Sequence, residues 1–291
     1  MPELPEVETI VRGLDRRVAG DTVESVWIGS RPQPLKSPAG VIARTLEGKR
    51  IARVHRAGKH IVFDLERESR ASQKGNRAVR GQTRQAASLQ QGAQWVVHLG
   101  MTGRMVVCEP AANIAKHTHL IAKLASGREL RFIDPRMFGK LSVHLQSGGF
   151  DPGGLEPLEV SEERFVALFR GRKTPIKSAL LNQKLLRGVG NIYADESLFR
   201  AGIRPRRRAA AITREQLGKL RRAVREVLRE AIALGGSSIS DYVDANGEEG
   251  FFQLRHRVYG REGAPCLVCG TAIRRVVLSG RSSHYCSKCQ K

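Results

Sequence analysis

Met1-Pro2-Glu3-Leu4-Pro5-Glu6-Val7-Glu8-Thr9 opens the chain, and the amphipathic run that continues to Val18 decides how this end is held. Val7, Ile10, Val11, Leu14 and Val18 fall on one stripe of a helix predicted over residues 5–18. Glu6 and Glu8 lie in its first turn and Gly20 stops it. Such a helix pins the N-terminus to a packed body. Pro2 is small enough for the initiator methionine to be trimmed, which leaves a secondary amine with the Glu3 carboxylate one residue away. An α-amino group titrates at about 7.7–8.0, against about 10.4 for a lysine, so part of it is unprotonated near neutral pH. An amine that attacks a carbonyl-like carbon gives a Schiff base, and a neighbouring carboxylate can move the protons of that step.

Composition sets the partner class. Lysine plus arginine number 50 against 28 acidic residues, a net charge of +22 spread along 291 residues. That field favours a polyanion, above all nucleic acid, because each neutralised phosphate releases counterions. Nine Phe, four Tyr and two Trp are too few for single-strand binding by rows of stacking platforms. No apolar run approaches a bilayer span and the N-terminus lacks a signal-peptide pattern, so a cytoplasmic protein is expected.

Short strands are predicted at residues 23–28, 60–65, 95–99, 105–108, 119–124, 130–134 and 140–144, the mark of a sandwich or barrel. Residues 67–94 interrupt them with an Arg-, Gln-, Ser- and Gly-rich stretch, read as a basic surface insertion. Cys108 reads as a small core residue. A Gly/Pro-rich linker follows, then helices predicted at 161–169, 176–186, 192–201 and 214–234. The last is closed by a Thr213/Gln216 capping box.

Cys266-x2-Cys269, sixteen residues, then Cys286-x2-Cys289 brings four thiolates into a tetrahedron around one structural Zn²⁺. Arg274, Arg275 and Arg281 lie between the knuckles, on a basic hairpin suited to DNA. Gly188-Val189-Gly190-Asn191 joins two helices, and Asn191 is placed to cap the second, whose open N-terminus makes a phosphate site. Arg172, Lys173 and Lys177 precede it. Met101 and the Arg136–Phe138 pair sit in turns after strands, which suits either a wedge for a base stack or core packing. His117-x-His119 suits a metal pair, a phosphate contact or plain surface histidines.

Taken together, Pro2 to Thr9, residues 98–103, 134–139 and 190–196, and the four-cysteine end closing on Gln290-Lys291 resemble bacterial formamidopyrimidine-DNA glycosylase over nearly the whole chain. The resemblance implies an α+β multidomain fold. Residues 1–146 would be a catalytic two-sheet β-sandwich with flanking helices, and 147–160 a linker. Residues 161–236 would be a helix–two-turn–helix DNA-binding domain, 237–260 a lesion-capping loop and connection, and 261–291 the zinc finger. It implies a glycosylase and AP lyase that excises 8-oxoguanine and formamidopyrimidines from duplex DNA and nicks the strand by β,δ-elimination.

By the same resemblance Pro2 is the nucleophile, Glu3 the proton donor, Lys59 the residue of β-elimination and Arg281 that of δ-elimination. Met101, Arg136 and Phe138 would fill the gap left by the flipped base. His117, Arg172, Lys177 and Asn191 would hold phosphates. A monomer at the bacterial nucleoid is implied. The sequence departs from the family pattern at Met137, where a second arginine is common, and at Ser283 and His284. The rival readings are an endonuclease VIII-like enzyme for oxidised pyrimidines and a non-catalytic zinc-finger DNA-binding protein.

Overall fold

The computed structural model describes residues 1–67, 92–145, 149–238 and 250–291. Most of the expected insertion at 67–94 and of the expected capping loop therefore lies outside the described residues. The chain divides into two compact units. One comprises Met1, Val11–Arg56 and His60–Phe150. The other comprises Pro2–Ile10, Ala57–Lys59 and Asp151–Lys291.

The first unit is built on eight antiparallel strands in the order β5-β7-β6-β1-β2-β3-β4-β8. They are β1 (Thr22–Ile28), β2 (Lys49–Ala57), β3 (His60–Arg67), β4 (Ala93–His98), β5 (Arg104–Cys108), β6 (Thr118–Leu124), β7 (Glu129–Ile133) and β8 (Lys140–Leu145). A ladder of only two pairs, Thr22↔Arg50 and Val23↔Lys49, joins β1 to β2. The expected two-sheet sandwich is thus realised as two four-stranded halves of one continuous sheet. Trp95 on β4 stacks on Phe63 of β3 at 4.6 Å, and both are fully buried. Cys108 ends β5 only half-buried, not in the core.

Two elements of this unit carried no sequence signal. In β2 the buried residues are Ile51, Val54 and Ala57, three apart, so the alternation that marks a strand is missing. Helix α2 (Ala39–Leu46) starts after Pro38 with no side-chain cap and contains Gly40 and the β-branched Val41 and Thr45. Helix α1 (Leu4–Val18) appears as predicted, one residue longer at its start.

The second unit packs helices around Leu4, Phe165, Phe169, Leu180, Tyr193 and Val227. Helix α3 (Glu162–Phe169) is capped by the Ser161 side chain, and α6 (Arg214–Ala233) carries the expected Thr213/Gln216 capping box. Helix α4 is shorter than predicted, Ile176–Leu180. Asn182 ends it, because its side chain accepts the Lys184 N–H at 3.0 Å in place of a helical carbonyl. Gln183 then shapes the following turn, donating to Val189 O at 2.8 Å and accepting from Gly188 N at 2.9 Å. That turn delivers the chain to α5 (Asn191–Arg200). The C-terminal hairpin is β9 (Arg274–Leu278) with β10 (Arg281–Tyr285).

Candidate active site

Pro2, Glu3, Lys59, Asn191 and Arg281 all belong to the second unit. Pro2 is buried and Met1, which precedes it, is 46% exposed. Glu3 is held by backbone at both ends: its N–H donates to Glu6 Oε2 at 2.8 Å, and its Oε1 accepts the Ile192 N–H at 3.4 Å. The expected cap therefore changes identity. Gly190 occupies the N-cap position of α5 with extended backbone, Asn191 is the first helical residue, and the Glu3 carboxyl sits on the helix N-terminus. Gly190 is required there, since a Cβ would lie 2.1 Å from the Glu3 carboxyl carbon.

Burial pushes the Glu3 carboxyl up to about 7, with the Glu6 charge adding to the rise and Lys59 opposing it. Its second oxygen, Oε2, is buried with no hydrogen-bond partner among the described residues. A neutral carboxyl with its proton on that oxygen avoids stranding a buried charge. Glu6 is also raised by burial, although its carboxylate accepts from the Tyr193 hydroxyl, from Ser237 N at 2.8 Å and from Glu3 N.

Lys59 stands in the two-residue turn between β2 and β3, and burial pushes its ammonium down. It feels Glu3 as an attractive charge and Arg281 as a repulsive one. Arg281, exposed at the start of β10, bears on Lys177 in the same way. The arrangement offers a buried Pro2 whose nitrogen would become a secondary amine on removal of Met1, an acid able to give a proton near neutral pH, and a lysine close enough to bear on that acid.

Lys177 is placed otherwise than expected. It is 1% exposed, its Nζ lies 2.7 Å from Asp195 Oδ1 and it donates to Ser282 O at 2.5 Å. Two of its three donors are thereby committed inside the protein. Arg172 stays exposed, with one guanidinium N–H on Leu168 O.

In the first unit the wedge candidates are not core. Met101 is 45% and Phe138 51% exposed, and the Arg136 guanidinium lies 4.8 Å over the Phe138 ring. Asp134 ties their two loops together. It accepts from Thr102 Oγ1 at 2.6 Å and from Gly139 N at 2.7 Å. Gly100, at φ 65°, passes so close to the other loop that a Cβ would meet Gly139 N at 2.5 Å. His117 is exposed, but His119 is buried with Nε2 2.9 Å from Asp134 O, so the two do not act as a metal pair.

The four cysteine sulfurs lie within 4.8 Å of one another, with Cys266–Cys289 at 3.9 Å and Cys269–Cys286 at 3.5 Å. A Zn–S bond of about 2.3 Å gives tetrahedral edges of about 3.8 Å, so the set fits one structural zinc. Backbone N–H groups of Val268 and Cys289 point at Cys266 and Cys286 sulfur, which supports thiolate charge there.

Family models match the chain in three consecutive blocks. They are the formamidopyrimidine-DNA glycosylase N-terminal domain over residues 1–141, its H2TH domain over 154–243, and the zinc finger found in FPG and IleRS over 263–291. The formamidopyrimidine-DNA glycosylase of Solibacter usitatus is 44% identical over 299 residues, with all of both chains covered. The chain belongs to the formamidopyrimidine-DNA glycosylase family. The Desulfitobacterium hafniense enzyme of that name is 40% identical over 300 residues, again at full coverage. Among solved structures, Fpg of Lactococcus lactis in complex with abasic-site DNA superposes with a TM-score of 0.84 at 30% identity, covering 99% of each chain. The Thermus thermophilus MutM (FPG) protein superposes at 0.80 and 38%, covering 99% and 98%. Among the described residues no helix is long and apolar enough to cross a membrane.

Within this glycosylase fold, sequence reasoning missed the residues that anchor the finger. Asp195 Oδ2 accepts from His284 N at 2.8 Å and lies 3.2 Å from His284 Nδ1. The departure at His284 therefore adds a polar contact while its ring keeps an edge contact with Tyr259 at 5.1 Å. Glu196 gathers the backbone N–H groups of Arg257, Val258 and Tyr259 at 2.9–3.1 Å. The sequence offered only an adjacent Asp195-Glu196 pair inside a predicted helix; that residues 193–199 are all buried came from the structure.

Proposed function

We propose that this protein excises oxidised purines, 8-oxoguanine and formamidopyrimidines, from duplex DNA and then cuts the strand at the abasic site. The single observation that carries the chemistry is the Glu3 carboxyl, buried beside Pro2, raised to about 7 and with one oxygen unpartnered. In this reading Met1 is removed, and the Pro2 nitrogen attacks C1′ of the flipped nucleotide as the bond from C1′ to the damaged base breaks, the proton shed by the amine passing to the departing base. Glu3 gives its proton to the ring oxygen of the sugar, which opens, and an iminium joins Pro2 to the strand. Lys59 assists loss of the 3′ phosphate by β-elimination and Arg281 loss of the 5′ phosphate by δ-elimination.

Flipping costs a few kcal/mol of stacking. Met101, Arg136 and Phe138 offset it by filling the gap. His117, Arg172 and Asn191 hold phosphates, and Lys177 joins them only through its remaining donor. The zinc finger keeps Arg281 in place. The net charge of +22 supports work at the bacterial nucleoid, in the cytoplasm.

Borohydride reduction in the presence of 8-oxoguanine duplex tests the reading. A covalent adduct at Pro2 is expected from processed, zinc-loaded protein, and its absence rejects the enzyme in favour of a DNA-binding protein. A set of duplexes carrying 8-oxoguanine, formamidopyrimidine or thymine glycol tests the substrate. Preference for thymine glycol overturns the purine assignment.

A further inference from the structure

The two tryptophans of the chain stand in opposite surroundings. Trp95 has no exposed surface. Trp27, on β1 within the sheet of the first unit, is 51% exposed. An indole left half in water on a strand is a large apolar surface without a fold-stabilising partner on that side. Trp27 lines an open pocket of about 330 Å³ whose other walls include Pro135 and Met137. The indole reaches over Gly29, where a Cβ would come to 3.4 Å from its Cη2 atom.

Met137 is one of two non-glycine residues at positive φ among the described residues, at 56°. Its N–H donates to Asp134 O at 3.3 Å, inside the loop that carries Arg136 and Phe138. A left-handed methionine persists only where its surroundings over-determine it, and such positions gather at ligand-contacting loops. Arg31, Lys116 and His117, all exposed, line the same pocket together with Ser30, Thr118 and His119, and no carboxylate does. With Trp27, Pro135 and Met137 and the cations Arg31 and Lys116 on its walls, the pocket complements an anion joined to an apolar ring.

We propose that Trp27, Pro135 and Met137 supply the apolar contacts, and Arg31, Lys116 and His117 the phosphate contacts, of a subsite that seats one deoxyribose–phosphate unit of the DNA strand. This rests on the reading of the chain as a DNA-repair enzyme. Away from the flipped nucleotide the bases of the duplex stay stacked, so the apolar surface met from outside is the sugar and the anion is its phosphate. Trp27 supplies packing area against the sugar, beside Met137. The subsite binds without reading sequence.

Because Trp95 is shielded, Trp27 carries the solvent-sensitive part of the emission. The test is acrylamide quenching of the full, zinc-loaded protein with and without 8-oxoguanine duplex, alongside Trp27→Phe and Trp27→Ala. Duplex is expected to protect the emission in the parent protein. The protection should vanish in Trp27→Phe, and Trp27→Ala should weaken duplex binding by about fivefold, the effect of losing about 40 Å² of apolar contact. An unchanged melting temperature in Trp27→Ala would assign that loss to contact and not to folding.

Equal quenching with and without a duplex that is still trapped by borohydride overturns the subsite and leaves the enzyme assignment standing. Protection by single-stranded DNA alone replaces sugar–phosphate seating with base stacking and also overturns it. If neither an adduct nor duplex binding is seen, the function and the subsite fall together.

Discussion

The Glu3 carboxyl rests on the N-terminus of α5, its Oε1 3.4 Å from Ile192 N, in space that only a glycine at position 190 leaves open. A Cβ at 190 would meet the three carboxyl atoms at 2.1–2.4 Å, and the α5 backbone has no room to retreat because Tyr193 and Ala194 are fully buried. Gly190→Ala therefore displaces Glu3 from its hydrogen bond while leaving the cations of the unit in place. Base release from 8-oxoguanine duplex should fall by 100-fold or more, within the span that general acid–base catalysis supplies, about 10²–10⁴. Duplex affinity should change little. Single-turnover release together with anisotropy binding separates the two, and parent-like release would show that the carboxyl need not sit there.

Two titrations frame the pH profile. Pro2 must be unprotonated, with a reference value of about 7.7–8.0 for an α-amino group. Glu3 must be protonated, and burial raises it from 4.5 to about 7. Release should be bell-shaped with its maximum between about pH 7 and 8. Lys59 lowers the Glu3 value, so Lys59→Met should move the maximum to higher pH whatever it does to the rate. The same proton acts on stability. A carboxyl raised in the folded state favours folding below 4.5, and that contribution is lost as pH rises to about 7. A maximum that stays fixed in Lys59→Met would mean that a group other than Glu3 is titrating.

Much of this site was legible before any coordinates. Pro2-Glu3 and the two CxxC knuckles are adjacent in sequence, so their chemistry could be read from spacing. The strands with clean alternation and the long capped helix α6 were legible for the same local reason. What spacing cannot carry is burial. Lys177 looked like a surface cation because nothing near it in sequence balances its charge, and Asp195, eighteen positions on, does so in space. Asn191 looked like a cap because a side chain from the chain's third residue was needed to show otherwise. The three-residue spacing of buried positions in β2 hid a strand that the sheet supplies with partners on both edges.

Lys177 and Asp195 are both essentially inaccessible, at 1% and 0% side-chain exposure, and 2.7 Å apart. Burial pushes the ammonium down while Asp195 holds it charged. Lys177→Met leaves the Asp195 charge buried with only the His284 contacts, and breaking such a pair costs about 3–5 kcal/mol. The loss should appear as a lower melting temperature and faster zinc release, since His284 and Ser282 are on the finger's second strand. Lys177→Met with Asp195→Asn should recover part of it. Arg172→Ala is the contrasting case: parent-like stability, with a salt dependence of binding shallower by about one ion. If Lys177→Met melts like the parent, the pair does not anchor the finger.

The finger's own hydrophobic core is small. Its buried cluster is Phe199, Val258, Cys266, Ile273 and Cys286, and two of these are ligands. A core that small does not hold a structure of about thirty residues without a staple, so the four thiolates and zinc supply the folding free energy. The helical core around Tyr193 and Val227 is separate from it. Chelation, or Cys269→Ala, should therefore open residues 263–291 to hydrogen exchange and leave α3 and α6 protected. With the finger go Arg281 and the basic hairpin, so duplex affinity should drop at least tenfold, the effect of removing several phosphate contacts at moderate salt. Glu196 should lose its three backbone donors at 257–259 in the same transition, which exchange at those amides would report. A Cys269→Ala protein that keeps full affinity and a protected 263–291 segment would contradict the role given to the metal.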